Sequence, residues 1–364
     1  MASRRGRRLD IRLPRGAGQY WLAAVRIEQF DPKTDGQRLQ TCYDMFASAW
    51  ADDDPNVPPF SFAMFRSWWA SDSLDEPRQF WLATAESGTP LGCYELRLPT
   101  RENLSNGFVE LLVARGSRRR GIGTVLLAHA ARQADQAGRG LLMGAARIGA
   151  PGPAFAASIG ATAGLQDARR ILDVGPDLHA RLRGLRAEAE PRATAYSIRR
   201  WVGPTPEDLV GGVCALVSAM ADAPHNAAYE PEIWDAARLR AEEERMAARG
   251  SRDYSVAASH GETGEMAALT GVMVDPAGAP GWAYQMLTAV TREHRGHRLG
   301  ILIKVAMLEW LAEAEPQLRH IMTFNAVPNQ YMIAVNEALG HRVSDYFQSF
   351  ELPVEAALKL AAPA

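Results

Sequence analysis

The chain has 364 residues, 47% of them hydrophobic, with a formal net charge of -2 and only three cysteines. That length favours two domains, and the apolar content supports a real core and excludes wholesale disorder. The near-even charge balance argues against a dedicated nucleic-acid binder, and no run of about 18 apolar residues exists to cross a membrane.

The start, MASRRGRRLDIRLPRGAG, is basic but lacks the apolar stretch of a signal peptide, so residues 1–20 are expected to form a flexible tail. Cys42, Cys93 and Cys214 lie far apart and form no CxxC, which suits a reducing compartment, here the cytoplasm. WADDDPNVP follows, and its acidic run Asp52, Asp53 and Asp54 is a candidate lure for a cationic amine. A helical region with Trp68 and Trp69 comes next. FWLATA (from Phe80) and LGCYELRL (from Leu91) then flank the turn ESGTP, which predicts a hairpin. A strand-like GFVELLV from Gly107 runs into the basic loop RGSRRRGIG and a helix that Gly138 and Gly140 stop. A further strand, a helix ending at Gly160 and a last strand complete this half.

The charged, Ala-rich RGLRAEAEPR reads as a linker, and YSIRRW from Tyr196 as the first strand of a second half. That half repeats the order. MADAPHNAAYEP stands where WADDDPNVP stood, with Asp222, Tyr229, Glu230 and, beyond it, Trp234 as candidate cleft residues. YSVAAS and MAALTGVMV flank HGETGE as a second hairpin. WAYQMLTAV then leads into TREHRGHRLG and a helix whose stop is Pro316. An offset of 177 residues places Val113 on Val290, Arg118 on Arg295 and Gly123 on Gly300, which points to duplication. The expected division is a tail at 1–20, a domain at 21–185, a linker at 186–195, a domain at 196–355 and a tail at 356–364.

A glycine-rich turn carrying arginines at a helix start is an anion site in outline. The first backbone N–H groups of a helix lack partners, and the macrodipole makes that end positive. His294 and His297 have no Cys or carboxylate cluster nearby in sequence to make a metal site, so no metal is expected.

Arg118, Arg119, Arg120, Gly121, Ile122 and Gly123, following a strand, match the signature Arg or Gln, two residues, Gly, one residue, Gly or Ala. The chain thereby resembles the GNAT superfamily of acyl-CoA N-acyltransferases. The repeat looks like the actinobacterial double-domain proteins of which mycothiol synthase is one branch. The resemblance implies an α/β (α+β) fold of two tandem domains, each a mixed, mostly antiparallel splayed sheet flanked by helices. It implies acetyl-CoA as acyl donor, with its diphosphate on the N–H groups of Arg119 through Thr124 beside Arg118, and its pantetheine along the strand ending at Leu112 and Val113. In the second half the matching places are Thr288, Val290, Arg295, Gly296, His297, Arg298, Leu299 and Gly300, where Arg298 replaces the middle Gly.

The family's later helix carries an Asn, an Ala, a Tyr and a Gly. Asn329, Met332, Asn336 and Gly340 occupy these places in the second half, with Asn325 just after the strand. Asn325 and Asn329 are therefore expected on the pantetheine arm, and Tyr331 is a substitute for the missing Tyr that protonates the thiolate. Gly149, Ala156 and Gly160 fill the corresponding places in the first half, which kept the loop and lost the polar helix. Glu110 is the candidate base, and its counterpart is Leu287, beside Gln285 and Thr288. The intact loop favours the first half as coenzyme binder, and the polar helix tilts catalysis towards the second.

The activity this implies is direct acetyl transfer from acetyl-CoA to a primary amine of a small molecule. The alternatives are acetylation of a cysteinyl aminosugar, as in mycothiol synthase, and a non-catalytic acyl-CoA sensor. No nucleic-acid or membrane partner is expected, and the protein is expected as a monomer or homodimer.

Overall fold

The computed structural model describes residues 25–71, 75–222 and 224–360, leaving aside the side chains of 221 and 222. The expected tail at 1–20, residues 361–364 and the Asp222 carboxylate lie outside the described residues.

From the start of the chain come β1 (Arg26–Phe30), α1 (Gly36–Asp53), α2 (Phe62–Trp69), β2 (Arg78–Thr84), β3 (Pro90–Arg97), β4 (Asn106–Val113), α3 (Ile122–Gln136), β5 (Leu141–Arg147) and α4 (Pro151–Ser158). Side-chain caps start the first two helices: Asp35 accepts from the Arg38 N–H and Ser61 from the Met64 N–H. Gly138, at φ 74°, ends α3 where the sequence placed its stop. Then follow β6 (Thr162–Asp173), α5 (Pro176–Ala189), β7 (Tyr196–Val202), α6 (Val210–Ser218), α7 (Ala236–Ala248), β8 (Arg252–His260), β9 (Met266–Val274), β10 (Trp282–Val290), α8 (Leu299–Ala314), β11 (His320–Ala326), α9 (Gln330–Leu339), β12 (Arg342–Pro353) and α10 (Val354–Lys359).

Two compact units result, and the first is assembled from both ends of the chain around the second. The first comprises residues 1–165 and 347–364, and the second 166–346. In the first, the strands run β1-β2-β3-β4-β5, and β12 closes the sheet, antiparallel to β5 from Phe347↔Arg147 to Pro353↔Leu141. In the second, β6 fills that place, antiparallel to β11 from His320↔Asp173 to Ala326↔Asp167, and the order continues β10-β9-β8-β7. The last strand of each repeat has thus been exchanged. Among the described strands of each unit, β4 with β5 and β10 with β11 run parallel and the others antiparallel, so each sheet is mixed and mostly antiparallel.

Burial follows this exchange. Leu352, Val354 and Ala357 belong to the first unit's core with Leu96, Ile122, Leu126 and Leu142, so the region expected as a tail from 356 begins as the packed helix α10. Leu172, Leu178 and Leu182 belong to the second unit's core with Leu302, Val305 and Ile321. The Ala-rich stretch expected as a linker is largely the end of α5, whose Leu182 and Ala189 are buried.

Candidate functional site

The site begins where each sheet comes apart. β4 pairs with β5 only over Asn106↔Leu141, Gly107↔Leu142 and Phe108↔Met143. β10 pairs with β11 only over Trp282↔His320, Ala283↔Ile321 and Tyr284↔Met322. Beyond these pairs each strand keeps its antiparallel partner on the other side, so one edge of Val109 to Val113, and of Gln285 to Val290, lies open along a cleft. An open strand edge is a row of unpaired N–H and C=O groups, which an extended amide-bearing ligand can pair with. β10 also carries a bulge between Gln285 and Leu287 that leaves Met286 exposed.

Each open strand runs into its basic loop, and the two loops share a backbone path. A single 3₁₀ turn (Arg115–Ser117, Arg292–His294) leads to an extended Arg118 (φ -64°, ψ 156°) or Arg295 (φ -69°, ψ 156°). Two left-handed positions follow: Arg119 (φ 61°) and Gly121 (φ 80°) in the first loop, Gly296 (φ 88°) and Arg298 (φ 59°) in the second. The glycine and the arginine have exchanged places between loops. Arg298 therefore preserves the turn that the middle Gly makes, at a cost of about 1–2 kcal/mol.

The helices that begin here, α3 and α8, have no side-chain cap, whereas α1, α2, α7 and α9 each have one. Among the described residues nothing accepts from the N–H groups of Arg119 through Thr124, or of Gly296 through Gly300. These donors suit a diphosphate without a metal. Ile122 and Leu299 are buried side chains, so they serve the loop through their backbone alone. Gly123 is needed for packing as well, since a Cβ there would lie 3.2 Å from the Phe155 ring of α4. Arg119 and Arg120 are exposed and face no described carboxylate. Among the described residues no group of His, Cys, Asp and Glu is arranged to hold a metal.

Arg118 is used differently from the expectation. Its guanidinium grips Asp53 at 2.9 and 2.5 Å, and its Nε donates to the Val113 carbonyl at 3.3 Å. Arg115 pairs with Asp52 at 2.8 Å, and Arg147 donates to the Asp53 carbonyl at 2.5 Å. The acidic run at the end of α1 is thus no lure for an amine. It ties the loop to α1, and the arginines in turn meet the negative end of that helix. The second loop is moored by other means. Arg295 Nε likewise reaches the Val290 carbonyl at 3.3 Å, while His294 pairs with the Tyr196 hydroxyl at 2.9 Å.

Beside the first cleft, Glu110 on β4 lies directly opposite Glu95 on the paired strand β3. Glu95 is buried and accepts from Arg78 Nε at 2.5 Å, and Arg97 stands 3.8 Å from Glu110. The cleft walls remove the Glu110 carboxyl from bulk water and Glu95 repels its charge; both push its pKa up, against Arg97 and Arg78. Its side chain is 68% exposed, so cleft water tempers the first effect and Glu95 supplies the firmer one. Trp69 stacks on Phe65 and packs on Phe80, and Arg78 lies over the Phe80 ring at 5.0 Å, so the half-buried Trp69 rests on the aromatic core and lines a pocket with Glu76 and Arg78.

The second cleft has no carboxylate on its open strand. Leu287 packs into the α6 core. Gln285 donates to the Gly271 and Leu287 carbonyls, and Thr288 shares a hydrogen bond with Thr270 at 2.8 Å, so both are engaged within the sheet. Asn329 caps α9, accepting from the Met332 N–H, which commits its carbonyl to the helix. Tyr331 is 88% exposed on the first turn of α9, and nothing among the described residues fixes its hydroxyl.

Asn336, in the Tyr place, is fully buried. Its Oδ1 accepts from Lys304 Nζ at 2.8 Å, and its Nδ2 donates to Asn325 Oδ1 at 2.6 Å. Burial pulls the Lys304 pKa down to about 7 and that of the adjacent His341 to about 3. Sequence reasoning missed Lys304. The signal was its place in LGILIKVAML, a run apolar on every side and therefore buried all round.

Residues 39–145 match the profile of the Acetyltransferase (GNAT) family. No curated protein sequence matches the chain. Among solved structures, a tandem GNAT protein from the clavulanic acid biosynthesis pathway, without AcCoA, is similar at 27% identity and a TM-score of 0.73, covering 93% of this chain and 99% of that one. A GCN5-related N-acetyltransferase from Sphaerobacter thermophilus shares the fold at 13% identity and a TM-score of 0.63, covering 91% and 96%. So does a fungal GCN5-related glucosamine N-acetyltransferase region of a multi-domain protein, at 13% identity and 0.59, covering 91% of this chain and 38% of that one.

Proposed function

We propose, on the premise that this chain is a tandem protein of the GNAT acetyltransferase family, that it moves an acetyl group from acetyl-CoA directly to the primary amine of a small molecule. The repeated geometry carries this reading. In each unit a strand leaves its parallel neighbour after three pairs and runs into an uncapped helix start lined with free N–H groups.

Acetyl-CoA supplies an acyl carbon already activated as a thioester. The N–H groups of Arg119 through Thr124, with the exposed Arg119 and Arg120, meet the diphosphate, and the open edge of β4 pairs with the pantetheine amides. A backbone N–H on that edge polarises the thioester carbonyl and holds the charge that develops on its oxygen. Glu110 takes a proton from the incoming ammonium so that the neutral amine attacks; its pKa is raised, which makes it a stronger base than an ordinary carboxylate. The C–N bond forms, the C–S bond breaks, and the thiolate leaves to be protonated from solvent. Cys42, Cys93 and Cys214 are buried thiols, which supports direct transfer over an acyl-enzyme.

We assign turnover to the first unit and coenzyme holding to the second. The contrast between Glu110 and Leu287 favours this, and it reverses the tilt that the polar helix suggested. Glu76 and Glu95 are paired with Arg97 and Arg78, so the exposed Glu110 is the carboxylate that favours a cationic acceptor.

Thiol release from acetyl-CoA, followed against a panel of small primary amines, tests the reading. Turnover is expected with at least one amine. It should fall about 10²- to 10⁴-fold in Glu110→Gln while coenzyme binding is kept. Binding without turnover on any amine would make the protein a sensor. Calorimetry showing no binding at either loop would overturn the reading outright.

A further inference from the structure

The second unit buries a cation that packing does not require. Lys304 is 2% exposed on α8, among Ile303, Val305 and Met307. Below about pH 7 Lys304 is an ammonium, which only donates hydrogen bonds, so there it fixes which end of each following amide faces which neighbour. The Asn336 carbonyl must face Lys304 Nζ, at 2.8 Å. Its NH₂ must then face Asn325 Oδ1, at 2.6 Å. With its carbonyl taken, Asn325 turns its own NH₂ away from the core, and nothing among the described residues accepts from it. Asn325 is half-buried on the stretch of β11 beyond Met322, where β10 has parted from it.

We propose that Lys304 is a positioning residue for the second unit's acyl-CoA cleft: through Asn336 it locks the Asn325 amide with its NH₂ outward, as a donor to a carbonyl of the pantetheine arm. This rests on the reading that the second unit holds the coenzyme. The buried chain selects a ligand that presents an acceptor there and disfavours one that presents a donor. His341 touches the same chain through the Asn336 backbone carbonyl at 3.2 Å, and burial together with Lys304 keeps it neutral, so it does not compete as a cation. The first unit has no such device, because Leu127 and Ala156 stand in the places of Lys304 and Asn336.

The full-length chain carrying Gly121→Glu, which blocks the first loop, lets acetyl-CoA calorimetry report on the second site alone. In that background Asn336→Asp is the decisive variant. An aspartate pairs with Lys304 but only accepts, so Asn325 must turn its NH₂ inward and show its carbonyl to the cleft. Acetyl-CoA affinity should fall about tenfold while the melting temperature holds or rises. Lys304→Met should lower affinity by a similar factor, and by nothing further once Asn325 is already Leu, because it acts through Asn325. Parent-like affinity in Asn336→Asp, or losses that multiply between Lys304→Met and Asn325→Leu, would overturn the proposal. Absence of any second-site binding in the Gly121→Glu chain would instead remove the reading beneath it, and the proposal with it. Asn336→Asp keeps a buried partner for Lys304, so the test stands even where Lys304→Met does not fold.

Discussion

Raising the pH from 7 to 10 should stabilise the second unit through Lys304. Its ammonium loses a proton at about 7 in the fold and at the ordinary 10.5 once exposed. Below pH 7 both states hold the proton, and above 10.5 neither does. Between these limits the unfolded chain holds a proton that the fold lacks, so stability rises with pH across that window. At about 1.36 kcal/mol per pH unit the whole gap is worth about 5 kcal/mol; about 3.5 kcal/mol of it falls between pH 7 and 10, and relaxation around the amine brings the expected gain to about 2–3.5 kcal/mol. His341, which faces the same pocket, does not titrate there, being neutral above about pH 3. Buried thiols and tyrosines elsewhere, Cys42, Cys214 and Tyr284 among them, have raised pKa values and pull the other way above pH 9. The assay is therefore a difference: urea unfolding of the parent and of Lys304→Met at pH 7, 8.5 and 10. The parent should gain at least about 2 kcal/mol on the variant over that range. Parallel profiles would refute a titrating lysine in the core.

Asp53→Ala should loosen the first loop, costing the first unit about 1–2 kcal/mol in chemical unfolding and several-fold in acetyl-CoA affinity. Tighter binding would instead mean that Arg118, once released, serves the diphosphate itself. Leu352→Ala should cost about 2–5 kcal/mol, read by hydrogen exchange as lost protection in peptides from β2 to β5. Peptides from β8 to β11 should keep theirs, although Leu352 follows them in the chain. Arg298→Gly removes a strained left-handed side chain and should raise the melting temperature by about 2–4 °C in calorimetry, with coenzyme stoichiometry unchanged.

Much of this was legible in the sequence because it is local. The hairpins, the helix stops at Gly138 and Pro316, and the repeat that sets Arg118 over Arg295 all rest on patterns a few residues long. The twin loops are legible too, because an arginine, a turn and a helix start belong together physically. What stayed hidden is long-range. Asp53 and Arg118 are 65 residues apart, and nothing near either names the other. The strands ending at Asp173 and Pro353 each follow a helix of their own repeat, and nothing local in either says which sheet it joins. Asn336 read as a lost catalytic position because its partner Lys304 sits one helix away, in a run that reads as core.

The crossed-over strands have a consequence for how the protein comes into being. Ribosomes deliver β1 to β5 early, yet the ribbon that seals them is made only after all of β6 to β11. Until then the first sheet waits with a raw margin, open to any extended segment nearby. A gene cut between the two repeats would leave each product wearing the other's last strand. The duplication is in this way sewn shut, and either half can drift in its chemistry, as Glu110 and Leu287 already have, while neither can be discarded.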